Sequence, residues 1–233
     1  MIDIRHSKMD RGSYGLPLFL LAPWLGIIIW FSMTLSFAQS IGLTPDVVAW
    51  VEQKYGAEAK ERVVAWKRLM EQHGRKSERN KLKLVNDFFN RLPYHSDWRL
   101  WKKRDYWATP IEALGINGAD CEDYSIAKYF TLRELGVADE KLRIMYVKAL
   151  ELNEAHMVLT YYETPGSVPL VLDNLKKGIL SAEKRTDLSP VYSFNADGLW
   201  LAKSRGQGKK VGSAKRINLW EDLKSRLDKE MGK

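Results

Sequence analysis

Apolar residues in this chain recur every three or four positions up to Gly136 and about every second position from Lys141 onward. The first spacing specifies helices with one buried stripe, and the second specifies strands with one buried face. A single switch of this kind divides the core between a helical half and a sheet half, which is an α+β arrangement. Three helical segments are predicted in the first half: TPDVVAWVEQKYG, AEAKERVVAWKRLMEQHG and SERNKLKLVNDFFNRLPY. In the third, Leu82, Val85, Phe88, Phe89 and Leu92 make one stripe, and Pro93 ends it by forcing the preceding residue out of the helical region. Trp98, Trp101, Tyr106 and Trp107 follow, between turn signals at 96–97 and 109–110. Such a cluster reads either as packing under a loop or as the wall of a peptide-binding groove. Beyond Gly136, residues 141–150, 155–163 and 168–175 read as three antiparallel neighbours with TPGS turning between the last two, and a hairpin is predicted around 195–198. The basic stretch KSRGQGKKVGSAKR reads as a surface loop, and INLWEDLKSRLDKEM as a closing helix.

Where the period changes lies GADCEDYSIAKYFTLRELG, which carries the only cysteine of the chain. A helix is predicted over 121–135. Gly118 permits the turn into it, Asp120 is a good N-cap, Asp123 stands where the reciprocal member of a capping box stands, and Gly136 supplies the stop. Cys121 then occupies the first helical position, where unpaired N–H groups and the positive end of the helix dipole stabilise an anion. Asp120, Glu122 and Asp123 oppose this, because neighbouring carboxylates disfavour a thiolate. The cysteine is therefore inert, or something positive compensates.

The first 38 residues differ from the rest. Arg5, Lys8 and Arg11 precede the uncharged run LPLFLLAPWLGIIIWFSMTLSF, and Ser36 and Ala38 offer small residues before Gln39. That is the pattern of an export signal; a run of this length also suits an uncleaved membrane anchor. Either way residues 39–233 are expected as a single domain in the periplasm, where cysteines usually pair and a lone thiol needs burial or a use. The net charge of +8 is scattered rather than interleaved with aromatics, so no nucleic-acid module is read from it.

A thiol hydrolase needs a base and an acceptor that orients the base. Among the four histidines, His156 stands near the start of a predicted strand, and Asp173 closes the next one within an apolar run. If these strands pair through the TPGS turn, the two residues come within reach of each other at the ends remote from it. Singly each has a structural explanation, a packed strand histidine and an Asx-turn; with a helix-start cysteine they form a candidate Cys-His-Asp set.

The segments DYWATPIEALG, GADCEDYSIAKYFTLRELGV, AHMVLTYY and VLDNL, in that order, resemble the bacterial transglutaminase-like cysteine proteinases of the LapG type. The resemblance implies a papain-like fold, with a helical half carrying the nucleophile packed on an antiparallel sheet. It implies Cys121 as nucleophile, His156 as general base and acid, and Asp173 as orienting acceptor. It also implies Ca2+, with Asp120 and Glu122 as first candidate ligands and Asp123 as third. Hard cations take several oxygen ligands, although this spacing is not that of an EF-hand. The implied substrate is a large surface adhesin cut near its N-terminus at a di-alanine-type site. The implied inhibitor is the periplasmic domain of an inner-membrane cyclic di-GMP receptor. A transglutaminase-type acyl transferase uses the same three residues, and an exported binding module with an inert cysteine is the non-enzymatic alternative.

Overall fold

The computed structural model describes residues 42–201 and 208–232. The export segment, its cleavage site and Gln39 lie outside them. Helices α1 (Pro45–Tyr55), α2 (Ala57–His73) and α3 (Glu78–Phe89) are the three predicted from the apolar stripes. Gly56, at φ 93°, separates the first two, a conformation only glycine adopts without strain. Val51, Val63, Trp66, Leu82, Val85 and Phe89 are their buried faces.

The turn signals that follow are helix starts instead. Ser96 precedes the short α4 (Asp97–Trp101), and Thr109 caps α5 (Pro110–Ile116) in a reciprocal box with Glu112. Thr-Pro serves both purposes, because proline at a first helical position gives up an N–H that has no helical partner there. The aromatic cluster divides. Tyr106 and Trp107 are buried, with Trp107 stacked on Phe194, whereas Trp98 is 67% exposed.

Helix α6 (Cys121–Glu134) is the centre of the molecule. It packs on the sheet with α3 and α5 at its other sides, and it is buried nearly all round. Gly136, at φ 83°, turns the chain out of it. Among the described residues the sheet has seven strands, β1 (Leu142–Ala149), β2 (Glu154–Tyr161), β3 (Leu170–Leu172), β4 (Leu180–Ser181), β5 (Leu188–Phe194), β6 (Leu199–Leu201) and β7 (Lys209–Gly212), in the order β4-β3-β2-β1-β5-β6-β7. Every pairing is antiparallel. Alternation assigns Leu142, Ile144, Met157, Leu159 and Phe194 to the main core and Met145, Val147, Val158 and Val171 to a smaller cluster on the other face.

Two strand expectations change. The third strand shrinks to three residues, since Asp173 leaves the ladder for side-chain partners, and part of the basic loop forms β7 against β6. The hairpin at 195–198 stands as read, closed by Asn195 N–H on the Gly198 carbonyl with the Asn195 side chain accepting from residues 197 and 198. The closing helix is α7 (Asn218–Glu230), which buries Trp220 against Phe194 and Tyr129.

Candidate active site

Cys121 opens α6 as a half-buried residue. The thiol donates to Glu122 Oε2 at 2.9 Å, and the Met157 backbone N–H faces the sulfur. Met157 follows His156 on β2, so the start of α6 and the start of β2 meet at this point. Burial, then the Glu122 and Asp120 carboxylates, push the Cys121 thiol far above its ordinary range, while the Met157 N–H works the other way. Burial and the neighbouring carboxylates keep the sulfur a thiol.

His156 and Asp173 are brought together. Nε2 of His156 lies 2.8 Å from Asp173 Oδ1, and both residues are buried, at 4% and 1% exposure. The pairing of Leu159 with Leu172 carries Asp173 beside Val158, two residues along from His156, so the contact is diagonal across the strands rather than directly opposite. The Leu175 N–H also donates to Oδ1, Arg185 Nη2 donates to Oδ2, and Asn90 holds the Asp173 carbonyl. Burial would raise the Asp173 carboxyl, but hydrogen bonds from His156, Leu175 and Arg185 outweigh it and bring it to about 2. The residue is a carboxylate at any working pH.

The acidic residues around the cysteine fall into two groups. Asp123 accepts the Ala108 N–H at 2.7 Å and the Asp120 N–H at 3.3 Å, so it ties the helix start to the preceding loop. Asp120 and Glu122 instead converge with Asp97, their ligand oxygens all within 4.8 Å of one another. Asp97 is the member that sequence reasoning missed. It reads as an ordinary turn residue after Ser96, and its burial to 5% is the unusual fact that only the fold reveals. Burial, then the Asp123, Glu122 and Asp97 charges, raise Asp120 to about 11. Asp97 rises to about 6, through burial opposed by the Tyr106 N–H and reinforced by Glu122. One oxygen of Asp97 and one of Asp120 are buried without a hydrogen-bond partner. Three crowded carboxylates with orphaned oxygens suit a hard divalent cation.

A thiol at a helix start, set against a sheet that carries a buried His-Asp pair, is the layout of a cysteine proteinase. The sequence model of the bacterial transglutaminase-like cysteine proteinases (BTLCP) matches residues 44–194, and the chain belongs to that family. Its fold is that of Legionella pneumophila LapG, at 42% identity and a TM-score of 0.70 over 81% of this chain and 97% of that one. A calcium-bound structure of Legionella pneumophila LapG matches at 42% identity and 0.69, covering 81% and 99%, and an EGTA-treated one at 42% and 0.71, covering 81% and 97%. No curated protein sequence matches the chain significantly.

Proposed function

We propose that this cysteine protease is a calcium-dependent periplasmic endopeptidase in which Cys121 is the nucleophile, His156 the base and acid, and Asp173 the orienting acceptor. The observation that carries the reading is the meeting of a helix-start thiol with the strand that bears a buried His-Asp pair. Asp173 binds Nε2, which leaves Nδ1 of His156 to take the thiol proton. The sulfur then attacks the peptide carbonyl carbon, and the carbonyl π pair moves onto oxygen. Backbone N–H groups of the first turn of α6, which have no helical partners, are suited to meet that oxyanion. Collapse of the intermediate expels the amine, which receives the proton from His156, and water, activated by the same imidazole, hydrolyses the thioester.

Asp97, Asp120 and Glu122 would hold the calcium ion, whose charge offsets theirs and lowers the cost of a thiolate beside them. For the substrate we propose the N-terminal region of a large surface adhesin, cut at a di-alanine-type site. For the inhibitor we propose the periplasmic domain of an inner-membrane cyclic di-GMP receptor. Both rest on the family likeness.

The test incubates the purified protein with the outer-membrane fraction of its organism, with and without calcium, beside Cys121→Ala. New protein N-termini that require both Cys121 and calcium are the expected result. Cross-linked amines instead of new termini would move the protein to acyl transfer. No covalent change with any partner, together with slow labelling of Cys121 at neutral pH, would leave a binding module.

A further inference from the structure

Asp173 is gripped on both oxygens, and the second grip belongs to a residue outside the Cys-His-Asp set. Arg185, just after the 3-10 turn Ala182–Lys184, donates from Nη2 to Asp173 Oδ2 at 2.7 Å. Its side chain is 1% exposed. Asp187 fixes it in turn, accepting from Nε at 2.9 Å and from Nη2 at 2.9 Å, and Lys176 Nζ lies 3.1 Å from Asp187. A row of alternating charge therefore runs from Asp173, which holds His156, through Arg185 and Asp187 to the half-exposed Lys176.

We propose that Arg185 is a positioning residue for the imidazole: it occupies Oδ2 of Asp173, so that the carboxylate plane is fixed with Oδ1 toward His156, and it offsets part of the charge that His156 experiences. The inference rests on the functional reading above. A carboxylate's terminal torsion is soft, with two broad equivalent positions, so the bonds from His156 and Leu175, both on Oδ1, leave Oδ2 without an anchor. Anchors on two different oxygens fix the plane. The planar guanidinium suits this task, since separate edges can grip Asp173 and Asp187 at once. Its Nη1 is buried with no partner, so the placement of this arginine is set by the two carboxylates and not by full satisfaction of its own donors. Arg185 also borders a cavity of about 330 Å3 whose walls include Met145, Val147, Val158, Val171 and Leu188. Thr160, Glu183 and Thr186 also line this cavity, and it gives water access to the space that a shortened side chain would vacate, which favours a folded variant.

Other charged groups also face this pair. Lys128 of α6 interacts with Asp173, Cys121 and Glu122 stand at the start of α6, and Asp187 and Lys176 lie beyond Arg185. The test therefore changes one charge at a time in a Cys121→Ala background at fixed calcium. It follows the His156 ring resonances by NMR against pH, with His73 as internal reference. Removing the Arg185 charge leaves Asp173 less offset, which favours the imidazolium. Arg185→Gln is expected to move the His156 midpoint upward by about 0.5 pH unit or more. Arg185→Lys, which restores charge without the fork, should bring it back toward the parent. Asp187→Asn makes Arg185 a stronger cation toward Asp173 and should move the midpoint down; it also serves if Arg185→Gln does not fold. With Cys121 present, Arg185→Gln should lower turnover at least tenfold. A folded Arg185→Gln whose His156 midpoint is unmoved, even with activity lost, makes the arginine purely structural and overturns the proposal. So does an unmoved midpoint in Asp187→Asn. The titration needs no substrate, so its failure is distinct from that of the proposed protease function, which falls if Cys121→Ala still cleaves.

Discussion

Two residues of α6 define what the site must overcome. Cys121 is a thiol bonded to Glu122, and its chemistry requires a proton to leave a buried, acidic neighbourhood. Cys121→Ala should abolish cleavage while altering stability by roughly 1 kcal/mol or less, because little packing and one modest hydrogen bond are lost. His156→Ala should be as damaging to turnover as the cysteine change, and Asp173→Asn less so if the amide still orients the ring. Turnover of one substrate by the three variants checks this order; full activity in Asp173→Ala would remove Asp173 from the mechanism. Lys128, two turns beyond Cys121, is fully buried with no hydrogen-bond partner on Nζ, although it lies over the Tyr124 ring and interacts with Asp173. Burial lowers it to about 7, partly opposed by Asp173. Between that value and about 10.4 the unfolded chain binds the extra proton, so stability rises with pH in this window, by about 1.4 kcal/mol per pH unit at its steepest. Below about 7 the penalty is present in full. Lys128→Met should flatten that slope and raise the melting temperature at pH 6, as denaturation across pH 6–10 would show.

At the scale of elements, the first turn of α6 separates capping from metal binding by which oxygens are already engaged. Asp123 is committed to two backbone N–H groups, so Asp123→Ala should cost about 1–3 kcal/mol whether or not calcium is present. Asp97→Asn and Glu122→Gln should behave oppositely. They remove charge from a crowded cluster, so the melting temperature in chelator should hold or rise while the calcium needed for activity increases. Equal loss of stability by all three variants would return the whole group to a structural role. The pH dependence follows from Asp97, whose folded value of about 6 exceeds its unfolded one near 3.9. The folded state binds more protons above the unfolded value, so metal-free stability falls as pH rises from about 4, through Asp97 up to about 6 and through the raised Asp120 beyond it, and calcium should suppress that fall.

For the whole molecule, the cluster joins α4 to the start of α6, and α6 is the helix on which sheet and helical half both pack. An ion bound only by the folded state stabilises it by mass action, by about 2.7 kcal/mol at a hundredfold excess over Kd. Calcium should therefore raise the melting temperature, and magnesium, with its stricter octahedral demand, should do so poorly. A melting temperature indifferent to chelator in a calcium-free preparation would reject the site. The same central packing explains a close approach elsewhere. A Cβ on Gly115 would come within 2.7 Å of the Tyr55 ring, so α1 can lie on α5 only because that position has no side chain.

What the sequence determined by itself was whatever depends on neighbours along the chain. The apolar stripes of α1 to α3, the cap at Asp120 that places Cys121 first in α6, the stop at Gly136 and the hairpin at Asn195 all follow from hydrogen bonds and side-chain spacing within a few residues. The approach of His156 to Asp173 was legible for the same reason, since a short turn joins their strands and register carries one toward the other. Tertiary structure alone decided the rest. Asp97 joins Asp120 and Glu122 because α4 folds back on the start of α6, and nothing within a few residues of Asp97 marks it as a ligand. Thr109-Pro110 became a helix start once α5 had α1 and α2 to pack against, and β7 formed once β6 offered an open edge. Arg185 reaches Asp173 through the β3-β4 pairing, and its role depends on burial, which a one-dimensional pattern carries for apolar residues but not for an arginine.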